Sequence, residues 1–353
     1  MELSPASCRP PRPMETAPQP LKQPRRVPAW LTSGWFPVSL GYAVSAAGLV
    51  WVFSRFSFAE LGEHLRTMDW RLVALAVVFE LAAYFADAWR WMILLEPAGA
   101  PTFGACLQSV FVGLFANDVV PARAGEVIRC FLLSYKTAVH LPQSITSSLV
   151  LRIMDGLWLV ILYLIITWRV PTHAAVNDVM WVFGSAVVVL SVLLLFALFY
   201  RQSTRRLVTS RPDATRFARF LNEIHKLGHW RELGTTMAVG SLFWAMQLLA
   251  IGALVRADGF DFDFSEVAFL TVVKTVGTIV QLSPANLGAF QAASVYALER
   301  MFTEPSEARI LAEILFAFLN LPLLIGGAIA VAAAGVRFED LRRHAHQAHR
   351  EGH

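Results

Sequence analysis

The chain has 353 residues, of which 56% are hydrophobic and only 16% charged, with a mean hydropathy of +0.52 and a formal net charge of +4. Soluble domains carry roughly 25% charged residues, and a soluble body of this size cannot cover so much apolar surface. Composition therefore excludes a cytosolic enzyme, a nucleic-acid-binding protein and a disordered chain, and predicts an all-α polytopic membrane protein.

Residues 1–34 contain eight prolines, five Lys/Arg and two Glu, with no apolar period. They read as a disordered, basic, Pro-rich cytoplasmic tail rather than a cleaved signal. A membrane domain follows over 35–336. The first apolar run, Trp35 to Phe53, has 19 residues and no charge, which suffices to span. Further spans are expected at about 71–95 (with Glu80, Asp87 and Arg90), about 144–168 (with Arg152 and Asp155), Val179–Tyr200, Leu233–Val255 and Ile314–Val336. Trp35, Trp51, Trp70, Trp168, Trp181 and Trp230 fall near the ends of these six spans, as an interfacial belt requires. The segment 201–232 holds eight Lys/Arg against three acids, so it belongs in the cytoplasm. The segment 257–266 holds Asp258, Asp261, Asp263 and Glu266 without a Lys or Arg, so it belongs outside. Six crossings then put both the N-terminus and the 337–353 tail in the cytoplasm.

Two segments, about 101–135 and about 265–302, are apolar but broken by Pro, Gly and Asn. Each arm is short for a crossing, and irregular backbone at membrane depth survives only under protein or beside a watery cavity. Both are expected to form re-entrant helical hairpins. Their breaks match as P-A-x-x-G: Pro121-Ala122-Arg123-Ala124-Gly125 and, 163 positions on, Pro284-Ala285-Asn286-Leu287-Gly288. The same offset relates the flanking spans, so repeat one (about 71–168) and repeat two (about 234–333) share a span–hairpin–span order. Three crossings separate equivalent points, which makes the repeat inverted, as in transporters whose sites lie where broken helices meet.

Charges in apolar segments are costly and mark functional sites. Arg123, Glu126 and Arg129 surround the first break, and Arg152 and Asp155 share a helix face at i,i+3. The arginines are expected to hold a phosphate, completed by Lys274 of the second hairpin, while Glu126 and Asp155 orient them. Asn117 and Asp118 are expected to shape the first break. Asp87 and Arg90 are expected to neutralise one another as a structural pair. Polar Gln281, Asn286, Gln291 and Asn320 are candidates for the lining of the same site.

The run N-D-x-x-P-A-R-A-G-E-x-x-R (Asn117–Arg129), followed by L-R-I-M-D (Leu151–Asp155), resembles the first signature of the lysylphosphatidylglycerol synthase transmembrane region family, also called flippase-like domain proteins. S-P-A-N-L-G-A-F-Q (Ser283–Gln291) is similar to its second, a P-x-x-x-G-x-x-E pattern. The likeness covers about 40–340. Gln291 stands where the family commonly has glutamate, and Asn286-Leu287 replaces a glycine-richer turn. Only about 17 residues follow Val336. The expectation is a stand-alone member without the soluble aminoacyltransferase domain of the full synthases.

The resemblance implies translocation of an anionic phospholipid or lipid-linked precursor between leaflets of a bacterial inner membrane. Pro121, Gly125, Pro284 and Gly288 join the polar residues above as the expected substrate site. No catalytic motif is present. Asp261-x-Asp263 and His344-x-His346-x-x-His349 read as a solvated turn and a solvated tail, so neither metal nor cofactor is expected. The three cysteines, Cys8, Cys106 and Cys130, form neither a disulfide framework nor a zinc motif. The alternatives are a membrane-embedded glycosyl- or other group transferase acting on a lipid carrier, with Glu126 or Asp155 as base, and a non-catalytic partner of a lipid-modifying enzyme. Expected partners are membrane lipids and either a second copy of the chain or a lipid-biosynthesis enzyme; nucleic acid is not expected.

Overall fold

Long apolar runs with no internal hydrogen-bonding competitor form helices, because hydrocarbon offers the backbone no other partner. The computed structural model describes residues 58–119, 123–167, 174–199, 230–279, 283–301 and 305–334. Both tails, the expected first span at 35–53 and most of the 201–232 loop lie outside them. The described residues are all-helical. In chain order they form α1 (Phe58–Thr67), α2 (Trp70–Gly99), α3 (Phe103–Val119), α4 (Ala124–Lys136), α5 (Leu141–Thr167), α6 (Ala174–Phe199), α7 (Trp230–Ala257), α8 (Phe264–Gly277), α9 (Ala289–Leu298) and α10 (Pro305–Ala334). Five of them, α2, α5, α6, α7 and α10, are long and apolar enough to cross a membrane. The protein is a polytopic membrane protein.

Local chemistry sets the boundaries. Asp69 caps α2 by accepting from the Arg71 amide at 2.9 Å, and Ala100 ends it in a left-handed cap (φ 42°) just before Pro101. Asp263 caps α8 in a reciprocal box with Glu266, both bonds at 2.8 Å. The Asp261-x-Asp263 pair is therefore a helix start, and Asp261 faces Arg256 at 3.4 Å.

The helix order repeats. A long helix, a two-armed hairpin and a second long helix appear as α2, α3–α4, α5 and again as α7, α8–α9, α10. The first helices of the two repeats run antiparallel against one another. The Asp69 amide donates to the Ala257 carbonyl at 2.9 Å, Gln247 Nε2 donates to Glu80 at 2.9 Å, and Tyr84 meets Phe243 edge-on at 5.9 Å. Antiparallel packing of equivalent helices is the signature of an inverted pair. Trp70 and Trp230 open these helices and are exposed, so they mark opposite ends of the bundle.

Each hairpin packs on the last helix of the other repeat: α3 on α10, and α8 on α5. Gly326 and Gly327 of α10 permit the first contact. A Cβ on Gly326 would come within 2.8 Å of the Phe111 ring, and one on Gly327 within 2.8 Å of the Phe111 carbonyl oxygen. Close approach through small residues is how membrane helices gain packing without a hydrophobic drive.

The apolar interior divides in two. One core gathers Met68, Val73, Ala76, Leu159, Leu162, Trp244, Leu254, Phe269 and Leu311, around α8 and α9. The other gathers Ala88, Trp91, Leu94, Cys106, Cys130, Val150 and Met154, around α3 and α4. Along α2 the polar residues Glu80 and Asp87 lie between Ala76 of the first core and Ala88 of the second, with Arg90 one turn further on, and along α5 Asp155 lies between Met154 and Leu159. A polar belt thus lies where the two cores meet, near the middle of the long helices.

Candidate functional site

The belt is built by helical spacing on three elements. α2 supplies Asp87 and Arg90, α4 supplies Glu126 and Arg129, and α5 supplies Arg152 and Asp155. Arg90 Nη2 lies 2.6 Å from Asp87 Oδ1, and its Nη1 and Nη2 form a fork on Asp155 at 2.6 and 3.0 Å. Arg129 lies 3.6 Å from Asp87 and 2.9 Å from Glu126, and it donates to Ser148 Oγ at 2.8 Å. Arg152 lies 2.9 Å from Glu126 and 3.3 Å from Asp155. Three guanidinium and three carboxylate groups close one continuous, electrically neutral network. Bidentate arginine–carboxylate pairing is the geometry that repays desolvation best.

The network has an inside and an edge. Arg90 is 1% exposed, and Asp87 and Arg129 are buried as well. Arg90 lies over the Phe243 ring at 4.8 Å, with Gly240 leaving it room, and Arg129 over Trp91 at 4.9 Å. The Arg152 side chain, by contrast, is 41% exposed, and that of Glu126 25%. Arg152 is thus the most exposed arginine of the network.

The tip of the first hairpin sits beside this edge. Asn117 Oδ1 accepts from the Gly125 amide at 2.9 Å and ties the two arms. A Cβ on Gly125 would collide with the Gly113 carbonyl, which is why glycine stands there. Arg123 occupies the left-handed region (φ 52°) at the start of α4, and its Nη2 donates to the Thr278 carbonyl of the second hairpin at 3.1 Å. Asn286, the equivalent position of the second break, has φ 55° and donates to the same carbonyl at 3.1 Å. The Gly288 amide is held by Gln291 Oε1 at 2.8 Å, as the Gly125 amide is by Asn117. Arg123 and Asn286 thus share a left-handed backbone and an acceptor, whereas Gly125 is helical and Gly288 has φ 86°. Asp118 is half-buried and makes no hydrogen bond among the described residues. Pro121 lies outside the described residues, and Pro284 enters a short 3₁₀ turn, Pro284–Asn286.

A second polar group belongs to the other repeat. Buried Glu80 accepts from Gln247, and buried Lys274 lies over the Phe290 ring with Nζ at 5.7 Å from its centre. Glu80 is the charged group whose field acts on Lys274. Gln291 Nε2 reaches Glu313 of α10 at 3.5 Å. Lys274, expected to complete the arginine site, makes no contact with those arginines among the described residues. Asn320 turns back onto the Phe316 carbonyl at 2.8 Å, and Gln281 lies outside the described residues.

Asp87 and Arg90 are more than a self-neutralising pair. They do bond one another, but Arg90 also reaches Asp155 and Asp87 reaches Arg129. Spacing of i,i+3 identifies a shared face and is silent on what that face meets. The signal in the sequence is that two charges, Asp87 and Arg90, stand inside an apolar span at all. Ser148, which bridges Arg129 and Glu126, carried no signal.

The family model for the lysylphosphatidylglycerol synthase TM region matches residues 38–336. The match spans most of the chain, and the chain belongs to this family. No curated protein matches it.

Proposed function

We propose that this chain, as a member of the lysylphosphatidylglycerol synthase transmembrane region family, translocates an anionic phospholipid or lipid-linked precursor between leaflets. The carrying observation is the neutral arginine–carboxylate network within the long helices α2 and α5, with its Arg152 edge exposed and two oppositely oriented hairpins meeting beside it. Arg152 and Arg123 contact the headgroup phosphate. Glu126 and Asp155 hold Arg152 ready, and Arg90 and Arg129 hold those carboxylates from behind. Alternating exposure of the two hairpins carries the headgroup across. The proposed membrane is a bacterial inner membrane, with both termini and the basic 201–232 segment on the cytoplasmic side, following the excess of Lys and Arg there.

An embedded transferase needs a carboxylate free to take a proton. Glu126 and Asp155 are each held by two arginines, which favours the translocation reading.

The test is movement of a fluorescent phosphatidylglycerol across proteoliposomes, read by chemical quenching of the outer leaflet. Arg123→Gln with Arg152→Gln removes two charge-assisted contacts and lowers the rate by about 10- to 100-fold. These two are chosen over Arg129, whose buried position would confound binding with folding. Unchanged rates in the double variant refute the site.

A further inference from the structure

The two hairpins meet where α3 packs on the Pro284–Asn286 turn, and among the described residues one hydrogen bond crosses between them. Thr278 follows α8, and its carbonyl oxygen accepts from Arg123 and from Asn286, each at 3.1 Å. The donors hold equivalent places in the two breaks, and both sit at positive φ without being glycine. Such residues carry strain of roughly 1 kcal/mol or more each, kept only where surrounding contacts over-determine them. Asn286 Oδ1 is buried without a hydrogen-bond partner. Strain on both sides and an unsatisfied amide describe a junction with a second arrangement within reach.

Arg123 also differs from its neighbours. Arg90, Arg129 and Arg152 all contact carboxylates, whereas Arg123 forms no ion pair among the described residues. Its single hydrogen bond there goes to a neutral carbonyl. A phosphate oxygen is a far stronger acceptor for a guanidinium, about twice as strong per bond and able to take two donors together.

We propose that the Arg123–Thr278–Asn286 junction is an anion-released latch: a phosphate group engaging Arg123 replaces the Thr278 carbonyl and frees the first hairpin from the second. The inference rests on the translocation reading and deepens it by naming the residue that links cargo binding to hairpin movement. With the latch closed, the tips of the hairpins are fixed against each other. With Arg123 turned to phosphate, the Asn286 bond stays within the second hairpin, and the hydrogen bond that crosses between the hairpins is gone.

The test uses the full chain carrying Cys8→Ser and spin labels at Val127→Cys on α4 and Ala292→Cys on α9, both exposed positions, since Cys106 and Cys130 are buried. Nanodiscs of a neutral, phosphate-free glycolipid are compared with the same discs containing phosphatidylglycerol, and with neutral discs in inorganic phosphate. Phosphatidylglycerol is expected to add a second, longer population to the label–label distance distribution. Release by inorganic phosphate alone at the same concentration keeps the latch and makes its trigger the free anion. Arg123→Gln is expected to give one distribution in all three media. Asn286→Ala, which leaves Arg123 in place and removes only a bond within the second hairpin, is expected to keep the wild-type response. A wild-type distribution indifferent to lipid, or an Arg123→Gln response equal to wild type in protein of unchanged melting temperature, overturns the latch. Lipid movement is measured on the same preparations. Lipid transport without a lipid-dependent distance change sinks the latch alone, and a distance change without transport sinks the translocation reading and leaves the latch as a lipid sensor.

Discussion

Asp155→Leu is the sharpest perturbation of the polar belt. Asp155 takes the Arg90 fork at 2.6 and 3.0 Å and Arg152 at 3.3 Å. Removing it leaves Arg90, 1% exposed, with Asp87 alone. Breaking a buried ion pair from one side costs about 3–5 kcal/mol, and the surviving Asp87 contact places this variant near the lower end, about 3 kcal/mol. Arg152→Gln acts at the exposed edge, where Glu126 keeps Arg129, and costs about 1 kcal/mol or less. The pair Arg90→Met with Asp155→Leu removes both charges and leaves Asp87 facing Arg129. It is expected to be less destabilised than the sum of the single variants by at least about 1.5 kcal/mol. The assay is reversible unfolding in mixed micelles with a denaturing detergent, run as a double-mutant cycle. Additivity within about 0.5 kcal/mol, or an Asp155→Leu cost no larger than that of Arg152→Gln, refutes the network as an energetic unit.

Gly125→Ala drives a methyl group into the Gly113 carbonyl and to within 2.6 Å of Asn117 Oδ1, and is expected to lower stability by about 1–3 kcal/mol. Gly104→Ala, with nothing within 4 Å of the new carbon, is the neutral control in the same melting experiment. Glu80→Leu strips Lys274 of its compensating field, and Lys274→Met on that background is expected to recover thermal stability, because it removes the orphaned charge. Failure of the second substitution to recover anything refutes the Glu80–Lys274 coupling. Burial pushes the Asp258 carboxyl above the usual carboxylate range, against the opposing hydrogen bond from His64 at 2.8 Å. A raised carboxyl favours the fold while protonated and loses that advantage as pH rises through its folded value. Asp258→Asn is therefore expected to melt with wild type at low pH and above it at neutral pH, and a constant difference across that range contradicts the burial argument.

The elements that hydropathy and chain breakers determine were legible in the sequence. Runs such as Val179–Tyr200 have one solution in hydrocarbon, and the structure carries α6 there. Within the two P-A-x-x-G breaks, Arg123 and Asn286 adopt the same left-handed conformation. Glycine–amide ties recur as well, through Asn117 at one break and Gln291 at the other. Contacts between elements far apart in the chain were not legible. Arg90 meets Asp155 across 65 residues and Glu80 meets Gln247 across 167, and no local spacing encodes either. Lys274 shows the same limit from the other side. The sequence marks it as a charge in an apolar arm, yet which groups surround it depends on how α8 packs.

Neutrality of the belt carries a condition on any anionic cargo. An unpaired arginine in hydrocarbon is costly, by about 2.5–3.5 kcal/mol on insertion scales, and the belt keeps its arginines matched. A matched arginine is of use to cargo only if it can change partners without dismantling the rest. Arg152 meets that condition. Its contact with Asp155 is the longer one at 3.3 Å, and Asp155 keeps the closer Arg90 fork when Arg152 turns away. The inner tier of Asp87, Arg90 and Arg129 then stays intact while the edge exchanges. One charge is still needed to balance a phosphodiester, and Arg123 brings a positive charge that no carboxylate among the described residues has claimed. The six-membered network with Arg123 added carries one net positive charge, which equals one phosphodiester. On the proposed function, diester headgroups are accordingly preferred over phosphomonoesters, whose second negative charge finds no counterpart in that set. Competition between phosphatidylglycerol and phosphatidic acid in the vesicle assay reads this preference, and faster movement of phosphatidic acid at a pH where it carries two charges contradicts the charge match.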